Sequence, residues 1–166
     1  MAVPALLLLL AGCGPEPEQP RSPSPFAACP TSAGDAGGVT LPCFTGDVPV
    51  TLTGLGQPAV INLWASWCGP CLREMPALQA FADESGLIVL GVNTDDTWES
   101  AVAWAQELGV TYPSVFDPGS TFKAELGVAG LPATLFVGAD GTVRHTEAAS
   151  GLTLERLREL AAEHLS

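Results

Sequence analysis

Basic side chains are scarce in this chain: 6 Lys and Arg stand against 18 Asp and Glu in 166 residues, a net charge of −12. A phosphate backbone is held by concentrated cations, so nucleic acid is excluded as a partner. The acidity itself points to solubility more than to any ligand. No apolar run reaches the roughly 20 residues that cross a bilayer. The five cysteines lack the second close pair that a zinc ribbon requires, and His145 and His164 stand singly, so no metal site is expected. Internal repeats are absent as well.

The one marked apolar stretch comes first, Ala5 to Ala11 within MAVPALLLLLAGCG, and has the length of a signal-peptide apolar region. Leu10-Ala11-Gly12-Cys13 resembles the bacterial lipoprotein box, in which the cysteine is acylated and becomes the new N-terminus. No Lys or Arg precedes the run, a departure from the positively charged start of export signals. Residues 1–12 are therefore expected to be a signal peptide. Residues 13–38 are expected to be a lipidated, Pro/Ser/Gly-rich tether, about 15 residues of which could hold a domain roughly 45 Å from a membrane in polyproline II form.

With Cys13 set aside as the lipidation site, four cysteines remain, and an exported chain keeps disulfides. Cys29 with Cys43 and Cys68 with Cys71 is the natural pairing. A Cys29–Cys43 bridge would close a loop of roughly 15 residues and stabilise by about 3 kcal/mol in the chain-entropy model. Neither cysteine sits at a helix start or beside a histidine, so this pair reads as a structural disulfide.

From residue 39 to 166 the texture is that of a folded domain. VTLPCFTGDVPVTL, broken by Pro42, Gly46 and Pro49, predicts a small hairpin on the domain edge. Ala59 to Trp64 predicts a buried strand, and Leu87 to Val92 a second one with no polar alternation, as parallel strands covered on both faces show. Helices are predicted from Cys68 to about Ser85, from Asp96 to Leu108 with Asp96 and Glu99 spaced as a capping box, and from about Thr153 to Leu165. A short strand near Ser114 to Phe116 and a helical turn near Ser120 to Leu126 precede two strands, Ala133 to Val137 and Thr142 to Thr146, joined through Asp140-Gly141. The fold class is α/β, a mixed central sheet flanked by helices.

The chemistry concentrates in WASWCGPC, residues 64–71. A disulfide across two intervening residues constrains little of the unfolded chain, so a purely structural bridge is a poor reading. A strand that ends at Trp64 and a helix that begins near Cys68 set the first sulfur among unpaired helix N–H groups, where a thiolate is favoured. Pro70 suits the first helical turn and Gly69 allows close approach of the sulfurs. Cys71 returns to the same side of the helix three residues on, so Cys68 reads as nucleophile and Cys71 as resolver. Trp67 reads either as a shield on one flank or as a boundary aromatic.

This strand-to-helix text resembles the thioredoxin superfamily, and NLWASWCGPCLREMP, residues 62–76, is similar to the active-site segment of its extracytoplasmic TlpA/ResA-like branch. GVAGLPATLFVGADG, residues 127–141, resembles the second signature of that branch. The resemblance runs from residue 39 to the end and takes in the hairpin and the inserted helix at 96–108. It implies a thioredoxin-like fold in which Pro132 is cis and faces the sulfurs, the rival being a trans loop proline. It implies that Leu131 offers its backbone to an extended client and that Trp67, Gly69 and Pro70 border that client. Glu74 matches an acidic residue near the active-site cavity and would assist proton transfer at Cys71 or shape partner choice, against its being a solvated helix residue beside Arg73. Asn62 departs from the pattern, standing where small thioredoxins carry a buried aspartate.

The function implied is thiol–disulfide oxidoreduction by a lipid-anchored, monomeric protein outside the cytoplasm, needing no cofactor. Its partners would be exported protein thiols or disulfides and a membrane thiol electron donor or acceptor. The Gly-Pro dipeptide between the cysteines favours a reductant, for instance in cytochrome c maturation; the alternative is an oxidase that installs disulfides. From other classes, a peroxidase would need a Pro-x-x-x-Thr/Ser-x-x-Cys context that NLWASWCGPC does not offer. A Cu(I)-binding module would use the two thiolates, with Met75 alone beside them.

Overall fold

The computed structural model describes residues 21–32 and 38–166. The signal-peptide and Cys13 lipidation expectations lie outside the described residues. The elements are β1 (Thr40–Pro42), β2 (Pro49–Thr51), β3 (Ala59–Trp64), α1 (Gly69–Ser85), β4 (Ile88–Thr94), α2 (Trp98–Leu108), β5 (Ser114–Asp117), α3 (Thr121–Glu125), β6 (Ala133–Val137), β7 (Val143–Glu147) and α4 (Leu154–His164). Strands β5-β4-β3-β6-β7 form one sheet, with β3, β4 and β5 parallel and β6 antiparallel to β3 and β7. This is the expected mixed, thioredoxin-like sheet.

Strand β3 explains the centre. All six of its residues, Asn62 included, are buried, because both faces of the strand are covered. Val60 and Trp64 face a core made with α1, α2 and α4, and Ile61 and Leu63 face a second core under α3 and the β1–β2 hairpin. The hairpin thus serves as a lid on one sheet face, with Leu41, Val50 and Leu52 buried. Gly91 on β4 has a steric reason to be glycine: a Cβ there would lie 3.1 Å from Trp64 Nε1 and still nearer to Ser114 Oγ. No helix among the described residues is long and apolar enough to cross a membrane.

Two expectations require correction. Helix α2 starts later than Asp96: Thr97 is its cap, its hydroxyl accepting from the Ser100 N–H at 3.3 Å, and Asp96 lies outside the helix, turned toward another loop. The tether is also shorter than expected, because residues 21–32 lie on the domain. Phe26 is 3% exposed between Phe44 and Trp64, with ring centroids at 4.9 and 6.2 Å. Ala27 N–H donates to Thr111 O at 2.7 Å, Thr45 Oγ1 donates to Phe26 O, and Trp98 Nε1 donates to Ser22 O. An apolar aromatic in a Pro/Ser-rich stretch is sufficient to fasten it when a complementary aromatic cluster is present.

Candidate active site

The loop after β3 turns tightly, with Cys68 N–H donating to Ala65 O at 3.1 Å. Cys68 is the N-cap of α1, Pro70 falls in the first turn, and Cys68 O accepts from Leu72 N–H, the first helical bond. The Cys71 N–H points at Cys68 Sγ at 3.3 Å. A negative charge forming on that sulfur would meet a helix N-terminus and a backbone donor. Cys68 and Cys71 form a disulfide with S–S 1.97 Å and Cα–Cα 5.3 Å. Both residues are buried, Cys68 at 5% exposure and Cys71 at 1%, so the first is the less deeply covered of the two. Cys29 and Cys43 form the other disulfide, with Cα–Cα 6.0 Å.

The Leu131–Pro132 peptide is cis. Ala133 pairs with Leu63 across the sheet, so the loop that ends in Pro132 emerges at the same sheet end as the Cys68 loop. Leu131 packs against the cluster that contains Cys68 and Cys71. Beside this loop runs a groove of about 440 Å³, of mixed polar and apolar lining, bordered by Leu126, Val128, Leu131, Pro132, Val143 and Thr146.

Trp67 is 59% exposed, and its indole Nε1 donates to Asp95 O at 2.8 Å, which ties the ring to the loop after β4. Gly69 differs from expectation: a Cβ there would meet the Arg73 guanidinium at an ordinary 3.6 Å, so the glycine leaves open surface beside the disulfide and is not required by crowding of the sulfurs.

Glu74 is not a solvated residue. It is 3% exposed, and its Oε1 accepts from Gly151 N–H at 2.5 Å and Leu152 N–H at 3.1 Å, tying α1 to the segment that precedes α4. Asn62 is buried under α1, its Nδ2 donating to Thr134 Oγ1 at 3.1 Å. Its Oδ1 has no partner among the described residues.

Asp95 and Asp96 were missed as site residues. Asp96 accepts from Ser66 N–H at 2.6 Å and Ser66 Oγ at 2.7 Å, just upstream of Cys68. The signal available was their place after the carbonyl end of a buried parallel strand, where open α/β sheets gather their sites. His145 and His164 stack at 4.5 Å between β7 and α4, and no group of three or more His, Cys, Asp or Glu that could hold a metal ion occurs among the described residues.

Residues 38–146 match the AhpC/TSA family model. The chain is 40% identical over 92 residues to the thiol:disulfide interchange protein DsbE of Allochromatium vinosum, covering 55% of this chain and 51% of that protein. It thus spans about half the length of the curated relatives it matches. Among solved structures, the putative thiol:disulfide interchange protein DsbE of Chlorobium tepidum superposes with a TM-score of 0.67 at 25% identity, over 81% of this chain and 98% of that one. The secreted Mycobacterium tuberculosis disulfide oxidoreductase homologous to E. coli DsbE shares the fold, with a TM-score of 0.66 at 22% identity over 75% of this chain and 95% of that one.

Proposed function

The chain belongs to the AhpC/TSA family, and from that premise we propose that it is a thiol–disulfide oxidoreductase working by exchange through Cys68 and Cys71, in the reducing direction. The observation that carries this reading is the Cys68–Cys71 disulfide at the N-terminus of α1, beside the loop of the cis Leu131–Pro132 peptide.

In the reduced protein the Cys68 thiolate attacks one sulfur of a client disulfide. The client S–S bond breaks, a mixed disulfide forms at Cys68, and the first client sulfur leaves as a thiolate that takes up a proton. Cys71 gives up its proton and attacks Cys68 Sγ; the mixed disulfide breaks, the second client sulfur leaves, and the Cys68–Cys71 disulfide remains. Two electrons have passed to the client, and a membrane dithiol donor restores the pair by the reverse steps. Glu74, one turn beyond Cys71, assists the proton transfers at Cys71. Trp67, Gly69, Pro70, Leu131 and Pro132 form the client surface, with Leu131 lending its backbone to an extended chain. Two disulfides in one small domain favour a location outside the cytoplasm. A lipid on Cys13 would hold the domain at the membrane, and the disulfide of an oxidised apocytochrome c, released as two thiols, is the client class we favour.

The test is the reduction potential of the Cys68–Cys71 pair, by equilibration with defined thiol buffers. A value near about −270 mV supports the reductant, one near about −120 mV reverses the direction to oxidase, and a pair that does not exchange overturns the reading. Replacing the resolver, Cys71→Ser, should accumulate mixed disulfides at Cys68, visible as reducible adducts on gels.

A further inference from the structure

We propose that Asp96 is a positioning residue for this exchange: its carboxylate clamps the loop that delivers Cys68 and holds a fixed negative charge on Ser66, two residues upstream, which biases the couple toward reductant. The inference rests on the exchange reading above.

Four donors converge on the one carboxylate. Oδ2 accepts from Ser66 N–H at 2.6 Å and Asn93 Nδ2 at 2.8 Å, and Oδ1 accepts from Ser66 Oγ at 2.7 Å and Thr97 N–H at 2.8 Å. That engages about all the lone pairs a carboxylate offers. Every one of these donors is neutral, and Asp96 makes no ion pair among the described residues, so its charge is held in place without being cancelled.

The neighbouring residue reinforces the grip. Asp95 adopts a left-handed backbone, φ 53°, uncommon for a side chain other than glycine and found where a structure needs it. In that conformation its carbonyl accepts from Trp67 Nε1 and its N–H donates to Asp117 O at 3.2 Å. Parallel pairing of Trp64 with Asn93 sets the two loops side by side. Ser66 and Trp67, the two residues before Cys68, are thus both bonded to the Asp95-Asp96 turn. A cap for α2 is not the explanation, because Thr97 already fills that role.

The charges around the sulfur then oppose one another. The α1 N-terminus favours a thiolate at Cys68, whereas the Asp96 carboxylate, bonded to Ser66 two residues upstream, disfavours it. A destabilised thiolate raises the free energy of the reduced form, so the pair yields electrons more readily.

The experiment uses the full chain, comparing wild type with Asp96→Asn, Asp96→Ser and Ser66→Ala. Each is equilibrated with a dithiothreitol redox buffer, and Cys68 in the reduced protein is alkylated with iodoacetamide at neutral pH. Wild type reads the exchange reaction itself; if it does not exchange, the proposed function falls and this inference with it. If it does, either neutral variant at position 96 should shift the equilibrium constant about tenfold toward the reduced pair and speed alkylation. A folded neutral variant whose equilibrium and alkylation match wild type overturns the proposal while leaving the function intact. If neither folds, Ser66→Ala decides: with one donor lost the charge is less damped, so the constant should move about twofold toward the disulfide, and no shift or the opposite shift overturns the proposal.

Discussion

Glu74 shows how the partner across a fold defines a side chain. On the helix it is the residue after Arg73 and could face water; in the fold its oxygen collects two backbone N–H groups from Gly151 and Leu152, 77 and 78 residues away in sequence. Hydrogen bonds to a charged group contribute about 1.5–3 kcal/mol each, and deleting the acceptor strands the buried Leu152 donor. Glu74→Ala should therefore lower unfolding stability by about 3 kcal/mol in urea titrations. Glu74→Gln keeps an oxygen in the same place and should lose no more than about 1 kcal/mol. If the carboxylate also handles protons for Cys71, that same variant should slow resolution of the mixed disulfide tenfold or more, so stability and rate separate the two roles.

Among the elements, the segment 21–32 carries the sharpest consequence. It is held at one end by Arg21, whose guanidinium lies 4.8 Å from the Trp98 ring centroid, and at the other by the Cys29–Cys43 disulfide, with Phe26 buried between. The disulfide closes a sequence separation of 14, for which the chain-entropy model gives about 3 kcal/mol. The double variant Cys29→Ser, Cys43→Ser should be less stable by that amount in non-reducing denaturation, and should retain exchange at Cys68–Cys71. Hydrogen exchange at the Ala27 amide, bonded to Thr111 O, reports the strap directly: protection of at least about a hundredfold in the native protein, lost in the double variant. With the strap in place, the chain from Cys13 to Arg21 can reach at most about 29 Å when fully extended, well short of the roughly 45 Å that the sequence suggested.

For the whole molecule, the family match raises a choice of chemistry on a shared fold, and the arrangement before Cys68 favours the proposed disulfide exchange over peroxide turnover: between β3 and Cys68 stand only Ala65, Ser66 and Trp67, and the cysteine lies at a helix start with Cys71 behind it. The reduced protein is expected to consume hydrogen peroxide no faster than a simple dithiol, measured by loss of peroxide under identical thiol concentrations. Much of this architecture was legible beforehand, since the apolar runs of β3 and β4, the periodic faces of α2 and α4 and the Cys-Gly-Pro-Cys step are local patterns that the short-range geometry of strands and helices imposes. The order of elements, the mixed sheet and the cysteine pair at a strand-to-helix turn are therefore properties of the sequence by itself. Only the tertiary structure decided that Phe26 anchors the strap, that Glu74 is buried on the segment before α4, and that Asp96 serves the Cys68 loop and not its own helix. Those outcomes depend on sheet register and on which loops the parallel pairing of β3 with β4 brings together across 30 residues of chain, and a contact of that separation leaves no periodicity in the residues that make it.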